Sequence, residues 1–268
     1  MTYDSVHPHD QKGLVRYLRV TSRIKSKCIP LIVALLTLFL SPLAHGERLP
    51  LKSYTVADGL AHNSVNKIVR DSRGFLWFCT FEGLSRFDGY SFTTYGVAQG
   101  LRNPIVNDLL ETREGQYWVA TGEGLYRFDP LGIAQRSSIS DVQASSAVKP
   151  MFTVSYPGED SSSNSVLTLF EDSKGVIWCG TEKGLYRLEH QNGPPTFRYV
   201  DIGIDDEDKS PGLINAIIED RHGALWIGSA TGVYQLLPDG RAQHYNHERN
   251  GLPFDYVHSL LEDRDGRL

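Results

Sequence analysis

All four tryptophans of this 268-residue chain stand in one and the same sequence context. The run Val65-Asn66-Lys67-Ile68-Val69-Arg70-Asp71-Ser72-Arg73-Gly74-Phe75-Leu76-Trp77 returns at 106–118, 166–178 and 214–226, and a further copy begins at Val257 and reaches Leu268. The tryptophans are 41, 60 and 48 residues apart. A recurrence of that length is one supersecondary unit that cannot bury its apolar face alone and does so by stacking on its neighbours. The period is that of a β-propeller blade.

Turn chemistry divides each unit into four short strands. Asp71-Ser72-Arg73-Gly74, Thr112-Arg113-Glu114-Gly115, Asp172-Ser173-Lys174-Gly175, Asp220-Arg221-His222-Gly223 and Asp263-Arg264-Asp265-Gly266 read as tight turns opened by a side-chain acceptor and closed by a glycine at positive φ. A second set, opened by Thr80, Thr121, Thr181 and Ser229, closes on Gly83, Gly124, Gly184 and Gly232. Asp88-Gly89 and Asp239-Gly240 lead to a fourth strand, visible at 91–95 and 242–245. The first strand is apolar on both faces, with Val65, Val106, Val166, Ile214 and Val257 on one and Ile68, Leu109, Leu169, Ile217 and Leu260 on the other. That pattern fits a strand packed between neighbouring blades rather than on an open sheet. Two residues after each tryptophan stands a small one, Cys79, Ala120, Gly180 or Gly228, as close sheet-to-sheet packing requires.

These signals predict an all-β chain: a β-propeller of four-stranded antiparallel blades, four complete and a fifth begun, with the ring incomplete. Residues 47–268 form the partial propeller, with blades at 57–95, 99–129, 164–200 and 211–245 and an incomplete one at 250–268. A Ser-rich insertion, 130–163, reads as a surface loop on the second blade. Residues 54–60 parallel 94–101 and read as a fourth strand that completes the last blade. An open ring would expose apolar faces, so the chain reads as a fragment of a longer protein.

Composition bounds the function. At 40% hydrophobic and 22% charged the chain is globular, with a formal charge of −5. Residues 1–46 hold six of the 27 Lys/Arg and two of the 32 Asp/Glu, leaving a body at −9. Such a body argues against nucleic acid as a partner. Arg23, Lys25 and Lys27, the apolar run 28–40 and the small residues Ala44 and Gly46 describe a signal peptide or an uncleaved signal anchor over 1–46. The body is therefore expected outside the cytoplasm. Cys28 belongs to that segment, and Cys79 and Cys179 read as buried thiols rather than a disulfide.

No catalytic motif is present, and no cofactor is expected. His244 and His247 fall in a connector without further ligands, and Asp205-Asp206-Glu207-Asp208 reads as a solvated acidic loop. Trp77, Trp118, Trp178 and Trp226 are core, because a ligand needs one aromatic while a packed repeat needs the same one everywhere. The recurring Arg86, Arg127 and Arg187 are expected to pair with carboxylates of a neighbouring blade. A ligand site must break the symmetry. Asn66, Asn107, Leu167, Asn215 and His258 vary at one position of the inner strand, so Asn66, Asn107, Asn215 and His258 are the candidate ligand-binding residues.

The run ending Asp-x-x-Gly-x-x-Trp, followed by a small residue, Thr or Ser, and then by Gly83-Leu84-Ser85-Arg86-Phe87, Gly124-Leu125-Tyr126-Arg127-Phe128, Gly184-Leu185-Tyr186-Arg187-Leu188 and Gly232-Val233-Tyr234-Gln235-Leu236, resembles the two-component regulator propeller repeats of exported bacterial sensor regions. The likeness covers about 53–268, with Ser85 and Gln235 departing from the pattern. It implies an extracytoplasmic propeller that senses an unknown small molecule, carbohydrate-derived in some members, and passes the signal to an output domain of the same polypeptide. In the family that output is a histidine kinase, a diguanylate cyclase or a DNA-binding regulator, often preceded by an immunoglobulin-like domain and a membrane span. It also implies the periplasmic side of the inner membrane, a homodimer in the full-length protein, and no catalysis within these 268 residues. Alternatives are an exported propeller lyase or hydrolase similar to streptogramin lyases, and a scaffold that binds other proteins.

Overall fold

The computed structural model describes residues 51–132, 150–189, 194–203 and 212–268. Each blade is a meander of four antiparallel strands in chain order. The first holds β1 (Val65–Arg70), β2 (Leu76–Thr80), β3 (Gly83–Phe87) and β4 (Phe92–Tyr95). The second holds β5 (Val106–Glu111), β6 (Tyr117–Thr121), β7 (Gly124–Phe128) and β8 (Phe152–Ser155). The third holds β9 (Val166–Glu171), β10 (Ile177–Thr181), β11 (Gly184–Leu188) and β12 (Phe197–Val200), and the fourth β13 (Ile214–Glu219), β14 (Leu225–Ser229), β15 (Gly232–Leu236) and β16 (Ala242–Tyr245). Residues Ser53–Leu268 form one compact unit, and residues 1–46 lie outside the described ones.

Local chemistry explains the meander. Asp71 Oδ1 accepts from the backbone N–H groups of Arg73 and Phe75 (3.0 and 2.8 Å), and Gly74 closes the turn at φ 91°. The next turn is closed by a hydroxyl: Thr80, Thr121, Thr181 and Ser229 each donate to the carbonyl of the glycine three residues on, at 2.8 to 2.9 Å. First strands of successive blades lie side by side, and each second strand packs on the next blade's first strand. The core is thus a series of joints between blades.

The small residue after each tryptophan permits these joints. A Cβ on Gly180 would come within 2.6 Å of Ile214 Cγ2 and 2.7 Å of Thr168 Cγ2, and one on Gly228 within 2.8 Å of Val257 Cγ1.

Several expectations need amending. The first strand is buried on both faces in the second, third and fourth blades, but Ile68 of β1 is 57% exposed, because among the described residues no blade covers that side. The segment 250–268 contributes no strand, although Val257 N–H donates to the Ser229 carbonyl at 2.8 Å, in the place of a fifth inner strand. β8 lies inside 130–163, followed by a short helix at Ser161–Asn164; residues 133–149 lie outside the described ones. Residues 54–60 are not a strand: Tyr54 packs edge-on against Phe87 and Phe92 of the first blade. The 3₁₀ turn Val56–Asp58 that follows repeats at Val97–Gln99, each ended by a left-handed glycine.

Candidate functional site

The tryptophans sit inside the joints, and the turn aspartate has a second task there. Trp77, Trp178 and Trp226 donate Nε1–H to Asp71, Asp172 and Asp220 at 2.8 to 2.9 Å. Burial pushes the Asp71 carboxyl up, but donors from Trp77, the Phe75 backbone and Tyr117, with Arg73 nearby, outweigh it and hold it below the usual value. In the second blade the same position is Thr112, whose hydroxyl accepts only from the Gln116 backbone among the described hydrogen bonds, and Trp118 Nε1 is buried without a partner. Thr and Asp serve equally as turn openers, but only Asp also reaches the indole.

Neighbouring blades are latched by glutamates that the motif reading passed over. Ser72 donates N–H and Oγ–H to Glu111 at 2.6 and 2.7 Å, and Ser173 repeats this with Glu219. Arg113 N–H donates to Glu171, and Arg221 Nε to Glu262, at 2.8 Å. The recurrence of Glu immediately before the turn residue at 111, 171, 219 and 262 was the available signal.

The repeated arginines do not reach across. Arg86 lies over the Phe75 ring at 4.6 Å, and Arg187 pairs with Glu189 of its own blade. Arg86, Arg127 and Arg187 stand directly opposite Trp77, Trp118 and Trp178 and so share their face, and Arg86 lies 6.0 Å from the Trp77 ring.

Of the four predicted ligand residues, three work between blades. Asn66, Asn107 and Asn215 donate Nδ2–H to the carbonyls of Val106, Val166 and Val257, the first residue of the following inner strand or its counterpart, at 2.8, 2.8 and 3.2 Å. His258 is exposed and packs against Tyr256 at 4.6 Å. Next to this row lies a polar group without a counterpart in the other blades. Buried Asp108 accepts from Lys67 Nζ (2.6 Å), Leu169 N–H (2.9 Å) and Thr168 Oγ (3.2 Å), joining three inner strands. Burial raises its carboxyl despite the ammonium.

Cys79 and Cys179 are unpaired and buried, and burial pushes both thiols up, which leaves them unreactive. His244 bonds the Thr231 carbonyl and stacks on Tyr234 at 4.2 Å, while His247 bonds the Leu252 carbonyl. Among the described residues no group of three metal-ligating side chains occurs; residues 205–208 lie outside them.

The antiparallel order brings the connections that follow the first and third strands of each blade to one end, opposite the asparagines. Clefts open there between blades. The one between the first and second blades is a broad groove of about 390 Å³ whose floor is polar. Tyr117 gives its hydroxyl proton to Asp71 (3.0 Å) and accepts from Arg73 (3.0 Å), while its ring and that of Phe128 each lie 5.7 Å from Trp77, which is 0% exposed. The cleft between the third and fourth blades, about 270 Å³, reaches Trp178, which is 7% exposed. Here Leu225 and Leu236 stand in place of Tyr117 and Phe128.

The family model described as "Two component regulator propeller" matches residues 59–82, 160–183 and 208–231. Among solved structures, the extracellular domain of a hybrid two component system of B. thetaiotaomicron is similar at 20% identity and TM-score 0.59, over 77% of this chain and 25% of that one. The extracellular domain of a one component system of the same organism is similar at 21% identity and TM-score 0.59, over 76% and 25%. Virginiamycin B lyase of Staphylococcus aureus follows at 12% identity and TM-score 0.51, over 72% and 57%. The chain thus spans about a quarter of the length of the first two. A search of curated proteins finds no match. Similarity at these identities establishes the propeller fold, and three stretches of the repeat match the model of the two-component regulator propeller.

Proposed function

We propose that the chain is the extracytoplasmic sensing part of a bacterial signal-transduction protein. It binds a small molecule and biases an output domain of the same polypeptide through a population shift, with no catalysis of its own. The observation that carries the reading is the regulator-propeller repeat itself, with extracellular domains of signalling systems among its structural neighbours. The acidic body and the basic-then-apolar leader at 1–46 support export, and with it a periplasmic location, anchored at the inner membrane, and a partner other than nucleic acid. Asn66, Asn107, Asn215 and His258 remain candidates for contacting a ligand at the inner-strand end, with the amide oxygens as acceptors. A carbohydrate-derived ligand and a homodimeric full-length protein belong to the same proposal.

Export is tested by fusing alkaline phosphatase after residue 268. An active fusion is expected, and an inactive, full-length cytoplasmic fusion overturns the reading. Sensing is tested by thermal shift of the purified chain against a panel of oligosaccharides and small acids, in which a saturable rise in Tm is expected.

A second reading rests on the likeness to virginiamycin B lyase. Incubation with virginiamycin B decides it. Unchanged antibiotic is expected, and conversion that scales with enzyme concentration would favour a lyase.

A further inference from the structure

We propose that Arg70 makes the open face of β1 selective for a further blade of the same polypeptide whose first turn presents a carboxylate, so that this chain's own fifth unit is not the neighbour that covers it. The proposal deepens the sensing reading and rests on it. In every joint the last residue of the inner strand is an acceptor. It is Glu111, Glu171 or Glu219, in register with Tyr117, Ile177 or Leu225, and Glu262 holds the same place in the fifth unit. Each accepts from the second residue of the preceding blade's first turn, Ser72, Arg113, Ser173 or Arg221, at 2.6 to 2.8 Å. In β1 that place, opposite Leu76, is Arg70. A guanidinium accepts nothing, so the latch of the other joints cannot form there.

The rest of the face has the makings of a joint. Ile68 is 57% exposed, whereas its counterparts Leu109, Leu169 and Ile217 are 3 to 6% exposed, and Leu76 and Phe78 beside it are only partly buried. The Arg70 side chain is exposed and makes no hydrogen bond or ion pair among the described residues. Asp71 and Glu111, which share a cleft with it, are held instead by Trp77, Tyr117 and Ser72. A neighbour that continues the repeat brings the second residue of its first turn to Arg70, as Ser72 is brought to Glu111. A carboxylate there puts an ion pair in the place of the latch, and the planar guanidinium can bind it through two N–H groups. The fifth unit has Arg264 at that position, which sets one guanidinium against another. Its two aspartates are engaged, Asp263 by the N–H groups of Asp265 and Arg267, and Asp265 by the Arg267 side chain. A neighbour from the same polypeptide fits the size of the solved relatives, since this chain spans about a quarter of each of the two extracellular domains.

The test is fluorescence anisotropy with two labelled synthetic peptides of residues 214–236, which hold three strands of the fourth blade: one native, with Arg221 at the turn position, and one carrying Arg221→Asp. Titrated with the full 268-residue chain at low salt, the Arg221→Asp peptide is expected to bind saturably and at least about tenfold more tightly than the native one. Arg70→Glu should reverse the preference, and Arg70→Gln should bring the two affinities within about twofold of each other. Ile68→Asp, on the same face, should weaken both peptides. No saturable binding of the Arg221→Asp peptide, equal affinity of the wild-type chain for the two, or a preference that Arg70→Glu leaves unreversed each overturns the proposal. Should Arg70→Glu fail to fold, Arg70→Gln carries the test, and a preference that it leaves undiminished is the overturning result. Failure here with an active phosphatase fusion and a thermal-shift hit refutes the selectivity of this face and not the sensing function.

Discussion

The joint between the first and second blades and the joint between the third and fourth are built on the same repeat but close differently. In the first, Tyr117 and Phe128 flank Trp77, and Tyr117 ties Asp71 to Arg73, so the tryptophan is sealed beneath its groove by cross-linked side chains. In the second, leucines replace both rings, Ala242 replaces a phenylalanine, and Trp178 is left at the base of a cleft. The inner halves reverse the order. There the first blade has Cys79, while the third has Gly180 so closely packed that even a Cβ would collide. The latches Ser72–Glu111 and Ser173–Glu219 are alike in both joints, at 2.7 Å between hydroxyl and carboxylate.

The sharpest way to break this contrast is Tyr117→Leu, which imports the open arrangement into the first joint. It removes a buried ring and leaves the Asp71 carboxylate without one of its donors. A loss of about 3–4 kcal/mol is expected by urea denaturation; a loss below about 1 kcal/mol would mean that the ring is dispensable. Next is Gly180→Cys, which places the first blade's residue in the third. Ile214 and Thr168 must move, at a cost of about 2–3 kcal/mol. The reciprocal Cys79→Gly should cost less, about 1–2 kcal/mol, since it only empties space.

Asp71→Asn sharpens the electrostatic side. Its amide would turn a donor toward Trp77 Nε1 or the turn N–H groups, so about 2 kcal/mol should be lost at neutral pH. The pH dependence has a definite sign. A carboxyl held below its ordinary 3.8 when folded stabilises fully above that value and loses this contribution as pH falls through the lower folded value. The gap between wild type and Asp71→Asn should therefore narrow only below about pH 4. The smallest effect is a gain. Thr112→Asp supplies the partner that Trp118 Nε1 lacks, and about 1 kcal/mol of added stability is expected above pH 4, visible as a raised urea midpoint. An unchanged midpoint would show that the second joint cannot bring a carboxylate to the indole.

Much of the fold is legible in one sequence because the repeat states it four times. The turn signals place β1 to β3 of every blade, since each turn needs a glycine at positive φ or a hydroxyl on a glycine carbonyl, and these leave fixed residues. The fourth strands are harder to see. β8 and β12 follow segments of irregular length, and a four-residue edge strand such as Phe197–Val200 is too short to show a periodic pattern. The candidate site divides in the same way. That the asparagines differ between blades can be read from the sequence, but that their amides hold the next inner strand cannot, because the contact joins residues 40 and 59 apart.

The sequence by itself determined the blade, its turns, the tryptophan in each core and the acidic body, all of which depend on local backbone requirements and composition repeated along the chain. Only the tertiary structure decided which turn aspartates reach an indole, that glutamates rather than arginines latch the joints, and that a cleft reaches Trp178 but not Trp77. Each of those depends on two segments from different blades meeting at a particular distance, and a periodic pattern records what recurs in every unit, not the space left where one unit departs from the rest.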